Sequence, residues 1–142
     1  MPEPSDDAKQ TILVVDDEAE VRALVREILT PHGYHVIDTG DPIEARRIAE
    51  AQPIHLLLTD VVMPIMNGVE LAKRIEAISP GTKVVLMSGY STAAVKGSGR
   101  PLISKPFSTG DLVNTIKHML DSKAAFRRPE PPPRPKPGFG PI

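Results

Sequence analysis

The 142-residue sequence contains no cysteine, which excludes disulfides, thiolate catalysis and cysteine-based zinc sites. It has little excess of charge either. The formal net charge of -1 at pH 7 argues against general attraction to nucleic acid or to an anionic membrane. No apolar run reaches membrane-spanning length, and the opening MPEPSDDAKQ is acidic and proline-containing, unlike a secretory signal. A cytoplasmic location without a membrane partner is therefore the expectation. The four histidines, His32, His35, His55 and His118, lack metal-ligand spacing and are read as incidental, with His55 a strand-edge residue.

What the chain does have in quantity is proline, unevenly placed. Seven of its 16 prolines fall in the last 14 residues, PEPPPRPKPGFGPI, and the stretch from Lys123 carries five basic residues against one acid. Such a composition cannot bury apolar area. The sequence thus divides into a flexible N-terminus over 1–8, a folded domain over 9–122 and a Pro-rich basic disordered tail over 123–142. The tail is a solvated end or linker remnant, or else a polyproline segment that docks on a partner. No second periodic region follows Leu120, so neither a DNA-reading helix nor a catalytic output domain is expected.

Within the domain, short apolar runs alternate with helical patterns. TILVV (11–15), YHVID (34–38), IHLLLTD (54–60), TKVVLMS (82–88) and PLIS (101–104) read as strands. EAEVRALVREILTPHG reads as a helix, with Val21, Leu24, Val25, Ile28 and Leu29 at helical spacing and Gly33 at its stop. DPIEARRIAEAQ offers Asp41 as an N-cap and Pro42 at the first helical position, with Ile43, Ala45, Ile48 and Ala49 assigned to one face. Two more helices are expected over 67–78 and 108–120, the second capped by Ser108 with Asp111 three residues later. The strands are almost continuously apolar, as in a parallel sheet covered on both faces, and the strand–helix alternation predicts a doubly wound α/β fold. In such sheets ligands bind outside the carboxyl ends of the strands. Asp16 and Asp17 end the first strand, Asp60 the third, Ser88 the fourth and Lys105 the fifth.

Taken singly, each of these residues has an ordinary reading. Asp16, Asp17 and Glu18 suit a helix N-cap with acids in the first turn, Asp60 a strand-end turn, Lys105 a solvated turn, and Ser88 a strand end. Taken together, three carboxylates converging on one crevice repel unless some protonate or a cation intervenes. A hard cation with oxygen ligands answers this, and Mg²⁺ fits, held at roughly 2.0–2.1 Å by carboxylates, waters and a phosphate. Lys105 is placed to neutralise a phosphoryl oxygen, and Ser88 to offer it a hydroxyl. Pro106 makes a cis peptide feasible just after the lysine. A carboxylate nucleophile, a divalent ion, a lysine and a hydroxyl are the parts of a phosphoryl-transfer site.

ILVVDDE, LLLTDVVMPIMNGVEL, VVLMSGY and LISKPFSTGDL, in that order, resemble the receiver domain of two-component response regulators, the CheY-like superfamily, over nearly the whole domain. The resemblance implies a flavodoxin-like five-stranded parallel sheet of order 2-1-3-4-5. It implies Asp60 as the phosphoacceptor, supplied by a sensor histidine kinase, a phosphotransfer protein or a small phosphodonor. Asp17 and Asp60 would bind Mg²⁺ directly and Asp16 mostly through water, with the backbone carbonyl of Val62 as a further ligand. Ser88 and Lys105 match the hydroxyl and lysine that engage the phosphoryl group, and Pro64 and Gly68 match the loop after the acceptor. The implied function is a stand-alone switch that catalyses its own phosphorylation and slow dephosphorylation, with no independent turnover substrate. Its output would pass to a downstream protein or along a phosphorelay, and a homodimer is compatible with it.

Two departures qualify the resemblance. The family's aromatic residue three positions before the lysine is Leu102 here, and Tyr90 is either a partial substitute or a plain loop residue. The stretch GYSTAAVKGSGRP is shorter than in the family, so the fourth helix, between the fourth and fifth strands, is expected to be short, irregular or absent. Two rival readings are weighed. A phosphohydrolase of the haloacid-dehalogenase type needs an acid two residues after the nucleophile, where this chain has Val62. A receiver-like module that binds partners without being phosphorylated is the other.

Overall fold

The computed structural model describes residues 9–89 and 99–121. Five strands, β1 (Thr11–Val15), β2 (His35–Thr39), β3 (Leu56–Asp60), β4 (Lys83–Ser88) and β5 (Leu102–Ser104), form one parallel sheet. Its order is β2-β1-β3-β4-β5, the flavodoxin-like order expected. Among the described residues four α-helices connect or close the strands: α1 (Ala19–Leu29), α2 (Pro42–Ala51), α3 (Gly68–Ile78) and α4 (Thr109–Asp121). The expected short fourth helix between β4 and β5, Tyr90, the N-terminal segment 1–8 and the tail from 122 onward lie outside the described residues.

Alternation along the strands explains their continuous hydrophobicity. Leu13, Val15, Leu57, Val84 and Leu86 point to one face, where Ala45 and Ala49 of α2 and Leu71, Ala72 and Ile75 of α3 cover them. Ile12, Val14, Leu56, Leu58, Val85 and Met87 point to the other, under Val25 and Leu29 of α1 and Leu112, Ile116 and Leu120 of α4. Both sheet faces are thus covered by helices, so successive strand residues are mostly apolar whichever way they point.

The helix starts follow local chemistry. The Asp41 side chain accepts from the Ile43 amide with Pro42 at the first helical position, and Asn67 accepts from the Glu70 amide. The Ser108 hydroxyl accepts from the Asp111 amide at 3.0 Å, as its spacing predicts. After α1 a short 3-10 turn over Thr30–His32 ends at Gly33, whose φ of 92° lies in the left-handed region that glycine enters without steric cost. Two apolar residues assigned to buried faces are at the surface instead. Leu24 is 45% exposed because α1 buries a narrow stripe centred on Val25 and Leu29. Ile43 is 43% exposed, since at 3.6 residues per turn it stands roughly 160° around α2 from Ala45. No helix among the described residues is long and apolar enough to cross a membrane.

Candidate functional site

The parallel register brings the ends of β1, β3, β4 and β5 to one edge of the sheet, and with them the residues picked out from the sequence. Asp16, Asp17 and Asp60 each offer a carboxylate oxygen, all within 4.8 Å of one another. Asp16 is fully buried and Asp60 nearly so, whereas Asp17 is exposed. The Lys105 ammonium reaches into the same pocket, 2.8 Å from Asp16 Oδ2 and 3.4 Å from Asp60 Oδ1. Ser88, almost fully buried, ends β4 beside them, and its backbone carbonyl accepts from the Lys105 amide at 2.9 Å. The Lys105–Pro106 peptide is cis.

The helix-cap reading of the Asp16–Asp17–Glu18 run does not describe this arrangement. The residue at the cap position is Glu18, and its side chain makes no capping bond. Asp16 Oδ1 instead accepts from the Glu18 amide at 2.9 Å, which fixes the turn leaving β1 and aims the other oxygen at Lys105. The run therefore turns inward to the pocket as well as opening α1.

The loop after Asp60 is built on close approach. A Cβ on Gly68 would stand 2.1 Å from the Asp60 carbonyl oxygen and 2.9 Å from its carbon, so α3 begins pressed against the backbone of Asp60. The Gly68 amide donates to the Val61 carbonyl at 2.8 Å. Between them the Met66 amide donates to the Pro64 carbonyl at 2.8 Å around Ile65, whose φ of 74° is strained for a β-branched residue. Ile65 and Val62 are exposed, by 77% and 56%, in this loop after Asp60.

The electrostatics follow from this crowding. Burial pushes the Asp60 carboxyl above the usual carboxylate range, and the charge of Asp16 pushes it further, with Lys105 pulling the other way. Burial alone would lower the Lys105 ammonium, but its hydrogen bond and charge contacts with Asp16, then those with Asp60, raise it above an ordinary lysine. The pocket thus holds more negative charge than Lys105 offsets. Hard oxygen donors at this mutual spacing suit a small divalent cation, and these residues fit Mg²⁺ on donor chemistry.

One residue at the site carries no signal of its own in the sequence, and another is marked there only as an acid of the Asp16–Asp17–Glu18 run. Glu18 lies 3.9 Å from the Lys105 ammonium. Arg22 donates to the backbone carbonyl of Asp16 at 2.8 Å. In the sequence Arg22 is a plain charged residue of an amphipathic helix, and only the packing of α1 on β1 brings it here.

Comparison with known proteins agrees with this geometry. The family described as response regulator receiver domain matches residues 12–117. The response regulator receiver protein CpdR of Brucella abortus (strain 2308) is 38% identical over 114 residues, covering 77% of this chain and 95% of that protein. The DNA-binding transcriptional regulator NtrC of Azospirillum brasilense is 36% identical over 118 residues; the alignment covers 79% of this chain but only 24% of that protein's length. The crystal structure of a CheY-like response regulator receiver domain protein from Methanospirillum hungatei JF-1 superposes with a TM-score of 0.77 at 28% identity. It covers 83% of this chain and 98% of that one.

Proposed function

The chain belongs to the response regulator receiver family of two-component signalling, and from that premise we propose that it is a Mg²⁺-dependent switch phosphorylated on Asp60. The observation that carries this reading is the Lys105 ammonium standing between two buried carboxylates, 2.8 Å from Asp16 and 3.4 Å from Asp60, at a strand-end pocket that includes a third, Asp17. Asp17 and Asp60 would hold Mg²⁺ directly, with the Val62 backbone carbonyl. Asp16, whose oxygens already serve the Glu18 amide and Lys105, acts mostly through water. An ion held by these residues would supply positive charge to offset that of the incoming phosphoryl oxygens.

The chain's own residues do the rest. An Asp60 carboxylate oxygen attacks phosphorus, and the bond to the donor, a phosphohistidine nitrogen or a small phosphodonor's leaving oxygen, breaks. Lys105 transfers its strongest contact from Asp16 to a phosphoryl oxygen, and the Ser88 hydroxyl donates to another. The added group carries roughly -1.5 to -2 charge by analogy with other phosphoryl groups. Drawing Lys105 and Ser88 toward it shifts a two-state equilibrium of the surrounding loops. At the position of the family's aromatic residue, Leu102 packs partly buried against the core under α2 and α3.

We assign the receiver domain to residues 9–122 and the phosphodonor to a sensor histidine kinase or a phosphotransfer protein, acting in the cytoplasm. The response passes to a downstream protein or a second phosphotransfer step, with a homodimer as one form of output. The test is intact mass after incubation with Mg²⁺ and a small phosphodonor. One added phosphoryl group, lost in Asp60→Asn and on chelation of Mg²⁺, is the expected result. An unmodified wild-type chain would favour the module that binds partners without phosphorylation, and steady turnover of phosphate esters would favour a hydrolase.

A further inference from the structure

The backbone that carries Asp16 and Asp17 is held from outside the acid pocket. Arg22 of α1 donates through Nη1 to the Asp16 carbonyl at 2.8 Å and through Nε to Asp38 Oδ2 at 2.9 Å. Asp38 lies in β2, and its other oxygen accepts from Arg26 Nη2 at 2.6 Å. On its other side Asp16 donates its amide to the Thr39 carbonyl at 3.2 Å. The two peptide units flanking the Asp16 Cα are thus each held, one by the last residue of β2 and the other by one guanidinium. Gly40 leaves the space for that guanidinium: a Cβ there would stand 2.8 Å from Arg22 Nη1 and 3.4 Å from the Asp16 carbonyl oxygen.

In these contacts Arg22 reaches the backbone of Asp16 and the carboxylate of Asp38, so its influence on the pocket passes through the Asp16 peptide. The fully buried Asp16 carboxylate divides its oxygens between the Glu18 amide and Lys105, and Asp17 follows directly in the chain. Any rotation of the Asp16 peptide moves both acids relative to Asp60. A planar guanidinium serves two acceptors in fixed directions, which the point charge of a lysine does not. Groups that orient metal-binding residues in this way commonly change metal affinity by about 10- to 100-fold when removed.

We propose that Arg22, seated by Asp38 and Gly40, is a positioning residue that sets the Mg²⁺ affinity of the acid pocket. This rests on the Mg²⁺ reading above and names a control on the same site. The test compares the full chain with Arg22→Lys, Gly40→Ala and Arg26→Lys, recording Mg²⁺ affinity by calorimetry and Tm in Mg²⁺-free buffer. Gly40→Ala is informative because the added methyl meets the flexible end of Arg22, so the fold survives while the guanidinium is displaced. It decides the matter if Arg22→Lys fails to fold. Arg22→Lys and Gly40→Ala weaken Mg²⁺ binding about tenfold or more, while Arg26→Lys, which leaves the Asp16 contact in place, stays within about twofold. If Arg22 only braces the fold, Tm falls while Mg²⁺ affinity holds in both variants, and the proposal is overturned with the switch reading intact. A wild-type chain that takes up no Mg²⁺ overturns both.

Discussion

At the amino end of the sheet the buried Thr82 hydroxyl donates to the Ile54 carbonyl at 2.6 Å. There too His55 Nδ1 accepts from the Thr11 amide at 2.9 Å, and Lys83 Nζ donates to the Met119 carbonyl near the end of α4 at 2.7 Å. At the carboxyl end of the same strands, Asp16, Asp17 and Asp60 crowd around Lys105. The first arrangement matches donors to acceptors, which is what burial of polar groups requires. The second brings like charges together in a poorly solvated pocket, which stability alone would not favour. The apolar layers between them hold both ends in place, so the carboxyl edge keeps its acids together although its own charges oppose the arrangement. That division of labour is how a marginally stable fold carries a strained site.

Breaking the carboxyl edge through its backbone has the largest expected effect. Gly68→Ala sets a methyl against the Asp60 carbonyl and costs about 3 kcal/mol, read as a drop in the denaturation midpoint. Breaking the amino edge costs somewhat less: Thr82→Val leaves the Ile54 carbonyl without its donor and lowers stability by about 2 kcal/mol in the same assay. A stabilisation there would mean that the matched end is not matched.

The Asp38 cluster sharpens the comparison through pH. Burial works to raise the Asp38 carboxyl, but hydrogen bonds from Arg26 and Arg22 hold it below the usual range. Because its folded value lies under the unfolded one, near 3.9 for a free aspartate, its contribution is present above about pH 4 and is lost as pH falls through the folded value. Asp38→Asn should therefore destabilise by about 1 kcal/mol at neutral pH, discounted for the partial exposure of the pair, with the gap closing in acid. Asp60 has the opposite sign. Its raised carboxyl makes the ionised form a cost at neutral pH that is relieved as pH falls through its folded value.

Much of this was legible in the sequence because the fold repeats simple rules. Five apolar runs gave five strands, and Asp41–Pro42 and Ser108–Asp111 marked helix starts where capping chemistry acts. That Asp16, Asp17, Asp60, Ser88 and Lys105 come to one edge was legible because strand ends in a parallel sheet share it. Leu24 and Ile43 misled since an apolar residue need not be buried, and the width of the covered stripe depends on how a helix sits on its sheet. Arg22 was hidden for a related reason. Its partners, the Asp16 carbonyl, Asp38 and Gly40, meet only through the pairing of β1 with β2 and the packing of α1, which no local pattern encodes.

The most direct test of the acid pocket is the thermal stability of wild-type protein and Asp60→Asn, each with and without Mg²⁺. Without the ion, Asp60→Asn should be the more stable by about 0.5 kcal/mol, since it removes one of the opposed charges. Adding Mg²⁺ should raise the wild-type Tm and leave the variant nearly unmoved. A wild-type protein indifferent to Mg²⁺, together with a variant less stable than wild type in its absence, would contradict the account.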